Sequence, residues 1–99
     1  MKFFFHPAAV TELNEAVAYY EECLAGLGIQ FAEEVNATIA RITEYPEAWT
    51  PLSENTRRCL TNRFPYGIVY QFHTGRIFVI AVANLHRRPG YWKGRSKEG

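Results

Sequence analysis

The C-terminal part of the chain gathers side chains that can bind an anion or move a proton. Residues 86–95 read His-Arg-Arg-Pro-Gly-Tyr-Trp-Lys-Gly-Arg. Arginine is permanently charged and can bond two oxygens of one phosphate, the aromatic residues can stack on bases, and histidine can exchange a proton near neutral pH. This basic and aromatic segment predicts binding to nucleic acid or to another anionic partner.

The same residue types could also cut RNA. Attack of a 2′-hydroxyl on its phosphate needs a base, an acid and a cation that stabilises the developing charge. The candidates for these catalytic roles are Arg63, His86, Arg87, Arg88 and Tyr91. A simple hydrogen-bonding role for His86 is an equal alternative. The chain contains no aspartate, which excludes a Ser-His-Asp triad, and it has no glycine-rich phosphate loop or metal-ligand cluster, so we expect no cofactor and no metal.

Two β-rich segments lie directly before this tail and would hold it in place. Residues 66–72 and 77–83 are separated by a short turn that contains Gly75, which predicts a β-hairpin. The second segment is apolar on both of its alternating faces, which is typical of a central strand that is covered on both sides. A rigid strand that ends in a loop is a common support for functional side chains.

The first half of the chain predicts two amphipathic helices. Apolar residues recur three or four positions apart, which places them on one face of each helix. They are Val10, Leu13, Val17, Tyr20 and Leu24, followed by Phe31, Val35, Ile39 and Ile42. Pro7 suits a helix start, and Pro46 stops the second helix. The glutamates that lie off the first stripe are expected to be solvated: Glu12, Glu15, Glu21 and Glu22.

These elements together predict one domain over residues 1–99. Residues 2–6 read as a short aromatic strand, and residues 57–62 as a further strand. Trp49, in the loop between helices and sheet, is expected to plug the edge of the core. The predicted fold class is therefore α+β, with an N-terminal strand and an antiparallel two-helix hairpin packed on a small antiparallel β-sheet.

The charges are divided between the two halves of the chain. Residues 1–55 hold nine glutamates against Lys2 and Arg41, a net charge of −7, whereas residues 56–99 hold nine basic residues against Glu98, a net charge of +8. This asymmetry predicts an anionic partner for the basic half, although solvating glutamates on the helices would produce it too.

Neither the cysteines nor the hydropathy pattern points outside the cytoplasm. Cys23 and Cys59 lack metal-like spacing and are expected to be reduced and half-buried. The apolar start of the chain is too short for a secretory signal, and no segment approaches the roughly 20 apolar residues of a membrane span. A cytoplasmic protein without membrane contact is expected.

In this order, several short motifs resemble the RelE/ParE superfamily of bacterial toxins. They span residues 5–9, 19–22, 28–31, 42–46, 63–66, 68–70 and 86–92. The resemblance implies a helical hairpin on a small antiparallel sheet, and a type II toxin-antitoxin module that stabilises plasmids. It also implies a cognate antitoxin whose C-terminal segment wraps the toxin, and we expect that segment to bind across the sheet edge or the helical hairpin and to cover part of the basic half.

The superfamily divides by mechanism, and one residue separates the branches here. RelE-like members cut messenger RNA in the ribosomal A site and carry an arginine just before the Leu/Ile-Val-Tyr of the hairpin strand, where this chain has Gly67. The Phe64-Pro65-Tyr66 segment and the tail over residues 86–92 also look more like the ParE branch. The resemblance therefore favours a ParE-like toxin that inhibits DNA gyrase. A ribosome-dependent mRNA endoribonuclease, which alone would make the protein an enzyme, and a member that only binds its antitoxin remain alternatives.

The tail is the predicted target-binding segment. Its candidate residues are Arg87, Arg88, Tyr91, Trp92, Lys93 and Arg95. Because they follow the last predicted core strand, we expect joint replacement of Arg87, Arg88 and Tyr91 to leave the fold intact.

Overall fold

The computed structural model describes residues 2–95 of the 99-residue chain, with two helices and a five-stranded sheet. The elements are β1 (Lys2–Phe5), α1 (Pro7–Cys23), α2 (Leu27–Glu44), β2 (Thr50–Pro51), β3 (Thr56–Leu60), β4 (Tyr66–His73), β5 (Arg76–Asn84) and a closing 3₁₀ turn (Lys93–Arg95). The predicted α+β class, with a helical hairpin on a sheet, is confirmed.

The sheet has the strand order β1-β5-β4-β3-β2. The predicted hairpin is formed by β4 and β5, and Gly75 in its turn has a φ of 71°, a left-handed conformation that glycine adopts without strain. The predicted antiparallel sheet is formed by β2 to β5, and β1 joins it by pairing with β5 in parallel, with Phe3 opposite Ile77, so that the whole sheet is mixed. The two strands lie far apart in sequence, so no turn dictates their relative direction.

The helices cover one face of this sheet. The predicted stripe of α2 is confirmed, since Phe31, Val35, Ile39 and Ile42 are buried against the sheet. Trp49 also packs against this core, as predicted, and its indole Nε1 donates to the carbonyl of Arg41 at 3.3 Å.

The stripe of α1 is only partly confirmed. Leu13, Val17 and Tyr20 pack against the core, but the fully enclosed positions belong to two alanines. Val10 and Leu24 are 41% and 62% exposed, so their prediction as core residues is wrong. Leu24 lies beyond the end of α1 in an extended conformation, where helical periodicity no longer applies.

The second face of the sheet is covered by the tail itself. Trp92 is 9% exposed and lies with Val69, Ile80 and Ala81 in a second apolar cluster, against which Tyr91 also packs. The prediction of a central strand covered on both faces is therefore confirmed for β5. The tail belongs to the core on this side and is not an appendage to it.

Two smaller expectations concern the cysteines and the membrane. Both thiols are free, but Cys23 is exposed and Cys59 is buried, so the expectation that both are half-buried is wrong. Among residues 2–95, neither helix combines the length and the apolar character needed to cross a membrane.

Candidate functional site

The tail is attached to α1 through one carboxylate, that of Glu12. The Tyr91 hydroxyl donates to Glu12 Oε2 at 2.8 Å, and Arg95 Nη2 donates to the same oxygen at 3.0 Å. The backbone N–H of Val82 donates to Oε1 at 2.9 Å. Only 12% of the Glu12 side chain is exposed. The prediction that Glu12 is solvated is therefore wrong, because its helix face meets β5 and the tail.

Glu21 is the other glutamate of this helix with a structural role. It is exposed, but its carboxylate accepts hydrogen bonds from the backbone N–H groups of Gly26 and Gly28 at 3.0–3.1 Å. The acid thus closes the turn between the two helices. Glu15 and Glu22 are exposed, as predicted.

The ring of Tyr91 lies between two arginines. The Arg87 guanidinium carbon is 3.8 Å from the ring centroid and that of Arg95 is 5.2 Å from it, both within the range of cation–π attraction. Burial, and then the hydrogen bond that its hydroxyl donates to Glu12, raise the pKa of Tyr91 far above that of a free phenol. At neutral pH this tyrosine is a neutral donor and not a base.

The remaining tail residues face solvent. His86, Arg88 and Lys93 are exposed. The side chains of His86 and Arg88 make no hydrogen bond or ion pair with other residues in the described range 2–95. Of the predicted target-binding residues, Arg87, Arg88 and Lys93 are thus exposed, whereas Tyr91, Trp92 and Arg95 are partly or fully built into the fold.

Arg63 lies apart from the tail. Its Nη1 donates to Gln30 Oε1 of α2 at 2.8 Å, and its guanidinium lies over the Phe64 ring at 5.1 Å. It lines neither of the cavities that the tail borders. The predicted catalytic set of Arg63, His86, Arg87, Arg88 and Tyr91 is therefore not brought together.

Two cavities lie on either side of the ridge formed by Arg87 and Tyr91. The first, the α1 groove, has a volume of about 220 Å³ and is lined by Glu12, Glu15, Ala16, Tyr19, Tyr66, Val82, Asn84, Arg87 and Tyr91. The second, which we call the Arg58 cleft, has a volume of about 120 Å³. It is lined by Leu52, Arg58, Val69, Ala83, Asn84, Leu85, Arg87, Arg88, Pro89, Gly90, Tyr91 and Trp92.

Arg58 is a candidate functional residue that the sequence did not indicate. It lies on β3, directly opposite Val69 of β4, and its aliphatic stem crosses Gly67. A Cβ at position 67 would lie 2.9 Å from Arg58 Cδ, so glycine is the residue that leaves room for it. Only the strand register could have revealed this, since the two residues are nine positions apart in sequence.

The cavities and the tail contain no assembled metal site. Among residues 2–95 no three histidine, cysteine or acidic side chains come together in a group that could hold a metal ion. The charged and polar side chains of the tail over residues 86–95 comprise three guanidinium groups, the ammonium group of Lys93, one exposed imidazole and the phenol of Tyr91.

The fold and the tail together define a small α+β domain with a basic C-terminal segment. The family model of the ParE toxin of the type II toxin-antitoxin system parDE matches residues 3–89, and the chain belongs to this family. The match ends at Pro89, so four of the six predicted target-binding residues lie beyond it.

A solved structure supports the same fold. The chain is similar to one described as "Chromosomal ParDE TA system from P. aeruginosa", with a TM-score of 0.75 and 9% sequence identity; the alignment covers 87% of this chain and 97% of that one. At this identity the likeness shows the fold alone. No curated protein sequence matches the chain.

Proposed function

We propose that this ParE-family toxin arrests growth by binding and inhibiting DNA gyrase, and that a cognate antitoxin neutralises it. Membership in a family of type II toxins supports the class of function. The observation that supports binding over RNA cleavage is the dispersal of the candidate catalytic groups. Arg63 is engaged with α2, and Tyr91 is held as a neutral phenol by burial and by its hydrogen bond to Glu12.

Cleavage would need more than the exposed groups provide. A base and an acid must flank the scissile phosphate while a cation neutralises the developing charge. His86 is the one exposed imidazole in the tail among residues 2–95, and Gly67 has no side chain to offer. The exposed arginines of the tail are held on a rigid sheet, an arrangement that suits binding to the surface of a target protein.

One observation favours the ribonuclease alternative. Arg58 lies across Gly67 and lines the cleft that Arg88 also borders, so an arginine is present at this place despite the glycine. Losing one such stabiliser of a transition state typically costs about 10²–10³ in rate. The ribonuclease alternative is therefore tested directly, by an assay for cleavage of ribosome-bound messenger RNA.

For the antitoxin, the helix side and the outer edge of β1 are the proposed contact surface. Within the described range 2–95, β1 is paired on one side only, and Phe3 and Phe4 on it are 46% and 48% exposed. Ile29 on α2 is 64% exposed. Strand addition to a free edge and packing of a helix on an apolar surface are two ways in which a peptide segment binds such a domain.

Two assays with purified components test the proposal. We expect the protein to abolish supercoiling by gyrase and to leave ribosome-bound messenger RNA intact. Joint replacement of Arg87 and Arg88 by Ala should remove the inhibition of gyrase. Arg76 is an exposed arginine at the start of β5, and the variant Arg76→Ala should still inhibit gyrase. Site-specific cleavage of messenger RNA with unaffected gyrase would establish the ribonuclease instead.

The antitoxin is tested separately. Co-expression with the product of the adjacent gene should yield a stable complex that restores growth. A complex that forms although the isolated protein affects neither gyrase nor messenger RNA would identify a member that only binds its antitoxin.

A further inference from the structure

The Arg58 cleft is a concave site with positive charge and no acid. Three arginines line it, Arg58 from β3 and Arg87 and Arg88 from the tail, and its lining contains no aspartate or glutamate. Arg87 lies 3.8 Å from Glu12, so its charge is partly balanced. Arg58 and Arg88 have no such partner, since neither forms an ion pair with any residue in the described range.

Arg58 carries the clearest sign of a missing partner. Its Nε is buried and has no hydrogen-bond acceptor among residues 2–95. Buried donors without an acceptor are rare in folded proteins, and each requires an explanation. A guanidinium presents Nε and one Nη side by side, which matches two oxygens of one anion. An acceptor supplied from outside the chain would satisfy this nitrogen.

Gly67 determines where this guanidinium lies. Its missing side chain lets the stem of Arg58 lie flat on β4, with Cδ and Cγ only 2.9 and 3.0 Å from where a Cβ would stand. Arg58 therefore extends from β3 across the sheet toward the tail, where Arg88 borders the same cleft. Arg58 from β3 and Arg88 from the tail thus line one small space from different elements of the fold.

We propose that the Arg58 cleft binds one backbone phosphate of a nucleic acid, held by Arg58 and Arg88. A volume of about 120 Å³ holds a group of phosphate size. The acidic residues of the chain belong mainly to the helices on the opposite side of the sheet. The electrostatic field of the protein therefore steers a polyanion to the face that carries the cleft. The proposal rests on the proposed function, since gyrase acts on DNA.

An acidic peptide is the less suitable ligand of this cleft. The cleft is lined by residues of β3, β4 and β5, and the backbone groups of the central strand β4 are already paired with β3 and β5, so an extended peptide finds no free sheet edge there. Contacts to the sugar-phosphate backbone need only the charged side chains. The phosphate can belong to DNA or RNA, and direct binding measurements separate the two.

The test measures binding of the purified protein to labelled single-stranded DNA, duplex DNA and single-stranded RNA by fluorescence anisotropy, without gyrase. We expect Arg58→Gln and Arg88→Gln each to raise Kd by about 10-fold or more, because a charge-assisted hydrogen bond is lost. Each should also lower the slope of log K against log salt by about 1. The matched control is Arg76→Gln, which removes an arginine outside the cleft.

A second variant tests the geometry without changing the charge. Gly67→Ala places a Cβ against the stem of Arg58 and should displace the guanidinium, so nucleic-acid binding should weaken although the net charge is unchanged. Gly94→Ala, whose added Cβ would meet nothing within 4 Å, should bind as the original protein does. Circular dichroism and thermal unfolding verify that each variant is folded.

The outcomes separate this site from the gyrase proposal. Stronger binding to DNA supports the site together with the gyrase target, and stronger binding to RNA supports the site and points to the ribosome. Equal losses for Arg58→Gln and Arg76→Gln would show that only diffuse charge is involved and overturn the proposal. Failure of every nucleic acid to bind, or binding only of an acidic peptide such as polyglutamate, would overturn it as well. A toxin that binds DNA yet leaves gyrase active would refute the gyrase proposal alone.

Discussion

Two groups of arginines lie in and beside the tail, and only one of the two groups is paired with a carboxylate among the described residues. Arg87 and Arg95 converge with Tyr91 on the carboxylate of Glu12. Arg58 and Arg88 border the adjacent cleft and have no carboxylate partner among the described residues. The two groups lie close together in the molecule, but their charges have different roles. The first group fixes the tail to α1, and the second remains available to a ligand.

The difference shows why the excess of positive charge in the second half of the chain is a poor guide to the binding site. A paired arginine makes its hydrogen bonds inside the molecule. Where the pair is buried, removing the partner leaves an uncompensated charge that is costly. An unpaired arginine adds little to stability and can be replaced without unfolding the protein. Stability and binding measurements on matched variants can therefore separate the two groups.

The largest effect is expected for Trp92, the tail residue that is buried against the second face of the sheet. Trp92→Ala should lower the free energy of unfolding by about 3–5 kcal/mol, because a large side chain is removed from the second core. Urea denaturation measures this change. A loss below 1 kcal/mol would mean that the tail does not cover this face of the sheet, and Lys93→Ala, at the exposed neighbouring position, is the control.

A somewhat smaller effect is expected for Glu12. Glu12→Gln keeps the shape of the side chain but removes its charge from Tyr91 and Arg95, and should cost about 2–3 kcal/mol. Hydrogen exchange should also show reduced protection of the Val82 amide, which now donates to this carboxylate. The exposed neighbour Glu15→Gln should change stability by less than about 0.5 kcal/mol; equal effects of the two variants would refute the anchoring role.

Alkaline pH tests the state of the Tyr91 phenol. Because the folded protein raises the pKa of Tyr91, its stabilising contribution is complete below about pH 10, the unfolded value, and is lost as pH rises above it. Stability should therefore fall less steeply above that pH in Tyr91→Phe than in the original protein. Tyr70, whose pKa burial raises to about 12, adds to the slope in both proteins and cancels in the comparison. Identical slopes would contradict the buried neutral phenol.

The smallest effect on stability is expected for Arg88, which is exposed and unpaired. Arg88→Ala should change the free energy of unfolding by less than about 0.5 kcal/mol. Arg87→Ala should cost somewhat more, about 0.5–1 kcal/mol, because its guanidinium stacks on Tyr91. Thermal unfolding of both variants tests this order. The expectation that Arg87, Arg88 and Tyr91 are all dispensable for folding thus holds best for Arg88 and is not supported for Tyr91.

The sequence predicted the elements of the fold because their signals are local. Helical periodicity located α2, and alternating apolar residues around a glycine turn located the β4–β5 hairpin. The apolar faces of the β5 segment indicated that it is a central strand. Where the local signal weakened, prediction failed: Leu24 lies just past the end of α1. The sequence did not indicate the direction of β1, because its partner β5 lies near the other end of the chain.

The sequence by itself therefore determined the helices, the hairpin, the basic tail and the residue types available for binding, since these depend on neighbours a few positions apart. Only the tertiary structure decided which arginines are free. Glu12 meets Tyr91 and Arg95 from 79 and 83 positions away, and Arg58 lies over Gly67 through the register of two strands. Whether a charged group is paired depends on the side chains that packing places within a few ångströms of it, and the order of residues along the chain does not contain that distance.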